Sequence, residues 1–125
     1  MREAISTKDG PKAIGPYSQA IKANGFVFVS GQVGIDPATQ QVITGDVAAQ
    51  TDRIMKNLEG ILKAAGSGLD KVVRSTVFLK NIGDFGAMNE VYGKYFTSAP
   101  PARSTVEVAR LPKDVAVEID VIALA

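Results

Sequence analysis

The sequence contains no cysteine and no histidine. Without cysteine there is no disulfide, no thiolate nucleophile, no zinc finger and no iron–sulfur cluster. Without histidine there is no Ser-His-Asp triad, no imidazole acid–base chemistry and no histidine metal site. Any metal would need carboxylates and carbonyls alone, which favours hard cations such as magnesium or calcium. Catalysis must therefore come from Arg, Lys, Asp, Glu, Tyr, Ser, Thr, Asn or the backbone. No apolar run approaches the roughly 20 residues that span a bilayer. The first residues, Met1-Arg2-Glu3-Ala4-Ile5, lack the apolar stretch of a signal peptide. The chain is expected to be cytoplasmic, with no membrane partner. Neither sign of charge dominates: 14 basic residues face 13 acidic ones, for a net charge of +1. A dedicated nucleic-acid binder usually carries a basic stripe, so nucleic acid is not expected as a partner.

What is present describes an ordinary globular protein. The chain has 125 residues, 46% of them apolar and 22% charged, and is read as a single domain over 1–125. A strand is expected at 2–6, followed by turn chemistry at 8–12. Residues 18–23 and 26–30 flank Asn24-Gly25, the strongest short hairpin signal, because both central positions of a type I′ turn need positive φ. Phe26-Val27-Phe28-Val29 is a continuous apolar run and reads as a strand covered on both faces. Asp36-Pro37 opens a further turn.

At 46–65 the period changes. Val47, Thr51, Ile54, Leu58, Ile61, Leu62 and Ala65 recur at spacings of three and four, the stripe of an amphipathic helix. Thr44 or Asp46 is placed to cap its start, and Gly66 to end it. A strand is expected at 72–80 and a second amphipathic helix at 84–96. Pro100-Pro101 cannot continue that helix. Strands at 103–109 and 115–124 close the chain. This order predicts an α+β two-layer sandwich, a mixed sheet with two helices on one face. The helical crossovers permit parallel pairing of the 26–30 and 72–80 strands, and of the 72–80 and 103–109 strands.

Side chains alternate between the faces of a strand. Arg103, Thr105 and Glu107 form one set, and Ser104, Val106 and Val108 the other. In the last strand Glu118 and Asp120 oppose Val117, Ile119 and Val121. If the apolar sets meet the helices and the two strands are neighbours, Arg103, Glu107, Glu118 and Asp120 project together from the far face. One reading is a solvated face with surface ion pairs. The other is a small-anion site completed by other chains. Arg103 follows the rigid Pro100-Pro101, and a guanidinium held there suits two-point capture of a carboxylate or phosphate.

Gly15-Pro16-Tyr17-Ser18-Gln19-Ala20, Ser30-Gly31-Gln32, Asn57-Leu58, Asn89-Glu90-Val91-Tyr92, Pro100-Pro101-Ala102-Arg103-Ser104 and Val117-Glu118-Ile119 occur in that order. Together they closely resemble the reactive intermediate deaminase family, the Rid or YjgF-type proteins, and its RidA branch in particular. The resemblance spans essentially the whole chain. It implies a chorismate-mutase-like α+β fold assembled as a homotrimer, with sites at subunit interfaces. It implies hydrolysis of 2-iminobutanoate and 2-iminopropanoate to 2-oxo acids plus ammonia, clearing by-products of PLP-dependent enzymes, with no cofactor and no metal.

Carried over residue by residue, the resemblance makes Arg103 the binder of the substrate carboxylate and Glu118 the group that positions or activates water. Tyr17, Ser30, Gly31 and Asn89 match positions lining the pocket. Thr105 stands where many members of the branch have cysteine; the change is tolerable if that position acts through its backbone carbonyl, and it otherwise removes thiol behaviour and reshapes the pocket. On their own residues, each of these has a plainer reading. Tyr17 is a packed aromatic, Ser30 and Gly31 end a strand, Asn89 faces solvent from a helix, and Glu118 is an ion-pair partner of Arg103. Two rival functions remain. One is a ribonuclease or translation inhibitor, a role also attached to the family's name. The other is a non-catalytic trimer that binds small carboxylates or partner proteins.

Overall fold

A computed structural model describes all of residues 1–125. Eight strands and two helices form in the order β1 (Arg2–Ile5), β2 (Ala20–Ala23), β3 (Phe26–Gln32), β4 (Ile35–Asp36), β5 (Gln41–Val42), α1 (Val47–Ala64), β6 (Val72–Leu79), α2 (Phe85–Gly93), β7 (Ala102–Glu107) and β8 (Val117–Leu124). Six strands make one sheet in the order β1-β2-β3-β8-β6-β7, and β4 and β5 form a separate small hairpin. The sheet is mixed: β6 and β7 run parallel, and β8 is antiparallel to both β3 and β6. Both helices pack on one face, which is the two-layer α+β architecture expected.

Local chemistry explains the elements. Asn24 and Gly25 adopt φ of 51° and 82°, the double positive φ of a type I′ turn, which matches the twist of β2 and β3. Asp46 caps α1, its Oδ1 accepting from the Ala49 N–H at 3.0 Å. Each residue of the expected α1 stripe, from Val47 to Ala65, is buried. Ile54, Met55, Leu58, Ile61 and Leu62 meet Val27, Val77, Val117, Ile119 and Val121 from the sheet in one core. No helix is long and apolar enough to cross a membrane.

Several expectations change. The 26–30 run is covered on one face only: Val27 and Val29 are buried, while Phe28 is 44% exposed. The chain has a single helical layer, so alternate residues of β3 have nothing to meet. The strands β3 and β6 are not neighbours, because β8 inserts between them. The strands β7 and β8 are likewise separated, by β6. Helix α2 is shorter than 84–96. It ends at Gly93, and Tyr95 and Phe96 reach the core margin from the turn beyond.

The largest correction concerns the charged face. Arg103 pairs in register with Ser75 and Thr105 with Val77, and Ser75 and Val77 point into the core. Arg103, Thr105 and Glu107 therefore face the helical layer, and Ser104 and Val106 face away. Glu118 and Asp120 pair with Phe78 and Thr76, which lie on the far face. The four charged side chains do not share one face. Apolarity was a misleading sign for β7: the outer face also carries apolar side chains, with Val106 43% and Leu124 46% exposed.

Candidate active site

Strand β7 lies at the sheet edge, so the helical side of its first half is only partly roofed by α2. Arg103 uses that opening. Its guanidinium carbon stands 4.8 Å from the centre of the Tyr92 ring and 5.5 Å from that of Phe85. Both rings come from α2, seven residues apart and on one side of the helix. Beneath, the buried Ser75 hydroxyl and the Tyr92 hydroxyl share a hydrogen bond of 2.6 Å. Burial pushes the Tyr92 phenol up, against the Ser75 hydrogen bond and the nearby Arg103 charge, so the ring stays neutral under the cation. Arg103 belongs to neither ion pair of the chain, which are Lys56–Asp52 and Lys80–Asp114. Its charge is held against aromatic faces and carries no carboxylate partner.

Two further groups stand on the same two elements. Asn89 sits between Phe85 and Tyr92 on the same side of α2, and its Oδ1 is buried without a hydrogen-bond partner. Thr105 follows two residues after Arg103 on the same face of β7, and its Oγ1 is also buried and unpartnered. Buried polar atoms are nearly always paired. An unpaired cation beside an unpaired amide oxygen and an unpaired hydroxyl is suited to a small ligand with a carboxylate and a neighbouring polar group.

Glu118 belongs to a different cluster. Between Val29 and Gln32 the β3–β8 register slips by one residue, a β-bulge formed by Ser30 and Gly31 opposite Asp120. Bulges re-aim side chains and recur beside functional sites. At Gly31 a side chain is excluded for a plain reason: a Cβ there would lie 3.0 Å from the carboxyl carbon of Glu118. The carboxylate rests on the bare glycine backbone. A cleft of about 480 Å³ opens here, lined by Pro11, Tyr17, Ser30, Gly31, Lys113 and Glu118 among others. Burial, and then the neighbouring Asp120 charge, raise the Glu118 carboxyl above the ordinary glutamate value. Ser30 Oγ donates to the Ser18 carbonyl at 2.6 Å, so its hydroxyl is used locally. Tyr17 is 51% exposed, and its hydroxyl accepts a long hydrogen bond of 3.4 Å from the Ile14 N–H.

The site residues expected from sequence thus fall into two groups. Tyr17, Ser30, Gly31 and Glu118 line one cleft; Arg103, Asn89 and Thr105 gather at the other place. The two groups lie on opposite faces of the sheet, since Arg103 is in register with Ser75 and Glu118 with Phe78, three positions further along β6. An Arg103–Glu118 ion pair within one chain is excluded.

Sequence reasoning missed the floor under Arg103. The amphipathic pattern of 84–96 puts Phe85 and Tyr92 on one side of a helix without saying what they meet, and the alternation of β6 gives Ser75 no partner to suggest. It also missed Gln19. The buried Gln19 amide accepts from the Thr7 N–H at 2.7 Å and donates to the carbonyls of Thr7 and Pro11 at 3.0 and 2.8 Å. That side chain holds the 7–11 loop that walls the Glu118 cleft, and it stands inside the Gly15–Ala20 motif, where the signal was available.

The family model described as Endoribonuclease L-PSP matches residues 7–125. The chloroplastic Reactive Intermediate Deaminase A of Arabidopsis thaliana is 47% identical over 122 residues, which is 98% of this chain and 65% of that protein. The crystal structure of YyfA from Yersinia pestis, a protein of the Rid family, superposes with a TM-score of 0.98 at 45% identity, covering 100% of both chains. The structure of Escherichia coli TdcF with bound serine superposes with a TM-score of 0.94 at 40% identity, covering 98% of each chain.

Proposed function

The chain belongs to the Rid family of YjgF-type proteins, and from that membership we propose that it is a deaminase of the RidA kind, hydrolysing 2-iminobutanoate and 2-iminopropanoate to 2-oxo acids and ammonia. The observation that carries this reading is the Arg103 guanidinium, unpaired on its aromatic floor beside two unpartnered polar atoms. A 2-imino acid offers what these groups lack: a carboxylate for the arginine fork and an adjacent nitrogen. The Arabidopsis relative is named a reactive intermediate deaminase, and TdcF holds serine, a ligand with a carboxylate next to a nitrogen.

The site is proposed to be shared between copies in a homotrimer. Arg103 and Glu118 lie on opposite faces of one sheet, so a site using both needs a second chain. The outer face that bears Glu118 is apolar enough to be covered, with Phe28 44%, Val106 43% and Leu124 46% exposed.

The chemistry asks little of the protein. Arg103 grips the carboxylate by two parallel hydrogen bonds and so orients C2 for attack. Water adds its oxygen to C2 of the protonated imine while its proton passes to the Glu118 carboxylate. The proton then moves to the amino nitrogen of the adduct. The C–N bond breaks with its electron pair going to nitrogen, the hydroxyl proton is lost as the 2-oxo carbonyl forms, and ammonia leaves. No side chain becomes covalently attached.

The deciding experiment generates 2-iminopropanoate in situ and follows its loss with and without the protein. Consumption no faster than in buffer would leave a carboxylate-binding trimer. The name of the matched family model raises a ribonuclease as well, but a net charge of +1 gives weak phosphate attraction, and absence of salt-dependent RNA binding would dispose of it.

Two predictions follow from Glu118. As a base it must be ionised, and its raised pKa means that turnover is expected to fall on acidification at a higher pH than an ordinary glutamate would give. Glu118→Gln should lose turnover and that acidic limb of the pH–rate profile together; a limb that survives would assign it to another group. The stability sign is opposite. A carboxyl whose pKa is raised on folding binds its proton more tightly in the folded state, so stability grows as pH falls through the folded pKa. Glu118→Gln is therefore expected to unfold near neutral pH no more readily than the parent. Separately, Gly31→Ala puts a methyl where the Glu118 carboxyl rests. Turnover should drop roughly tenfold or more through displacement of that group, with KM changed less, because Arg103 is untouched. An unchanged turnover would show that Glu118 does not act from this position.

A further inference from the structure

We propose that Glu107 is a positioning residue that holds the start of α2 so that Phe85 and Asn89 stand against Arg103. The proposal rests on Arg103 as a carboxylate binder. Glu107 lies four residues after Arg103 on the same face of β7, about 13 Å further along the strand. Its Oε1 accepts a hydrogen bond of 2.8 Å from the Ile82 N–H. Ile82 opens a short 3-10 turn, Ile82–Asp84, and Phe85, the first residue of α2, follows directly. Within that turn the Asn81 side chain accepts from the Gly83 N–H at 2.8 Å, and the Asp84 N–H bonds to the Asn81 carbonyl at 3.0 Å.

Helix α2 lacks the usual anchor at its start. Asp84 stands at the N-cap but makes no capping hydrogen bond through its side chain. The Asn81 cap of the turn before it is local, so it does not tie this end of the helix to the sheet. Glu107 supplies the missing tie from the neighbouring strand, and its negative charge suits the positive end of the helix. At the other end of the aromatic floor, Tyr92 is tied to Ser75. The floor under Arg103 is thus fixed at two points, one on β6 and one on β7, and β7 carries both the guanidinium and its alignment. Glu107 is exposed and in no ion pair. Removing it leaves an exposed N–H that water can satisfy, so the cost should fall on the placement of Phe85 and Asn89, with little effect on stability.

The test uses propanoate, an unreactive carboxylate, with affinity measured by calorimetry on the full chain. Glu107→Ala is expected to weaken propanoate roughly three- to tenfold, the equivalent of one net hydrogen bond. It should raise KM for 2-iminopropanoate by a similar factor with kcat little changed. Glu107→Gln, which keeps the accepting oxygen, should stay within about twofold of the parent, and Tm should move by less than about 3 °C in either variant. Parent-like affinity in Glu107→Ala would overturn the proposal. So would an equal loss in Glu107→Gln, which would assign the effect to charge. If Arg103→Ala binds propanoate as well as the parent, the carboxylate-site reading itself falls, and the positioning role with it.

Discussion

Arg103→Ala is expected to lower hydrolysis of 2-iminopropanoate on the order of a hundredfold or more, with the fold and the oligomer intact. The guanidinium offers two parallel charge-assisted hydrogen bonds to the carboxylate, each worth roughly 1.5–3 kcal/mol. Every 1.4 kcal/mol or so is a factor of ten in rate. Losing both exceeds a hundredfold even at the low end. The cost to folding should be small. Arg103 is half-buried at an edge strand and in no ion pair, and what it gives up is two cation–π contacts, each worth about 0.5–1 kcal/mol at a partly exposed position. Tyr92 keeps its Ser75 partner. Arg103→Lys keeps the charge but not the planar fork, so it should recover only a fraction of the lost rate. Imine turnover and mass by light scattering measure both halves of the expectation. A variant with near-parent turnover would remove Arg103 from the site.

The second large effect is a recovery. Arg103→Ala and Glu118→Ala should each be nearly inactive alone. Unfolded together, mixed in equal amounts and refolded, they should regain about a quarter of the parent rate. In the proposed cyclic assembly each site would take Arg103 from one copy and Glu118 from the next. Random mixing places an intact Arg103 beside an intact Glu118 at roughly one site in four. The physical basis is the register of β6, which puts the two residues on opposite faces of one sheet. A single chain cannot bring them together without breaking the sheet. If each chain carried a complete site, mixing would restore nothing. The same logic predicts that Phe28→Asp, on the apolar outer face, abolishes activity through dissociation, read as a fall in mass alongside the loss of turnover.

The contrast between what was legible and what was not runs through particular residues. The Asn24-Gly25 turn, a cap at Thr44 or Asp46 and the stripe from Val47 to Ala65 were all readable, because each depends on neighbours within one turn of chain. The motifs of the Rid family were readable for the same reason, and they pointed to Arg103 and Glu118 as the residues of interest. They did not say where those residues stand relative to one another.

The sequence alone determined the element types, the mixed two-layer class and the family, since these follow from periodicity, turn chemistry and ordered short motifs. Only the tertiary structure decided strand order and facing. Alternation divides β7 into two sets of side chains without saying which set meets the helices. Apolarity would settle that for a sheet with one wholly polar face, but here the outer face mixes Phe28, Val106 and Leu124 with its charged residues. Insertion of β8 between β3 and β6, and of β6 between β7 and β8, depends on hydrogen bonds between segments far apart in the chain. Those long-range pairings turn Arg103 towards α2 and its aromatic floor and turn Glu118 the other way, which is why the proposed site, if it uses both, calls for a second copy.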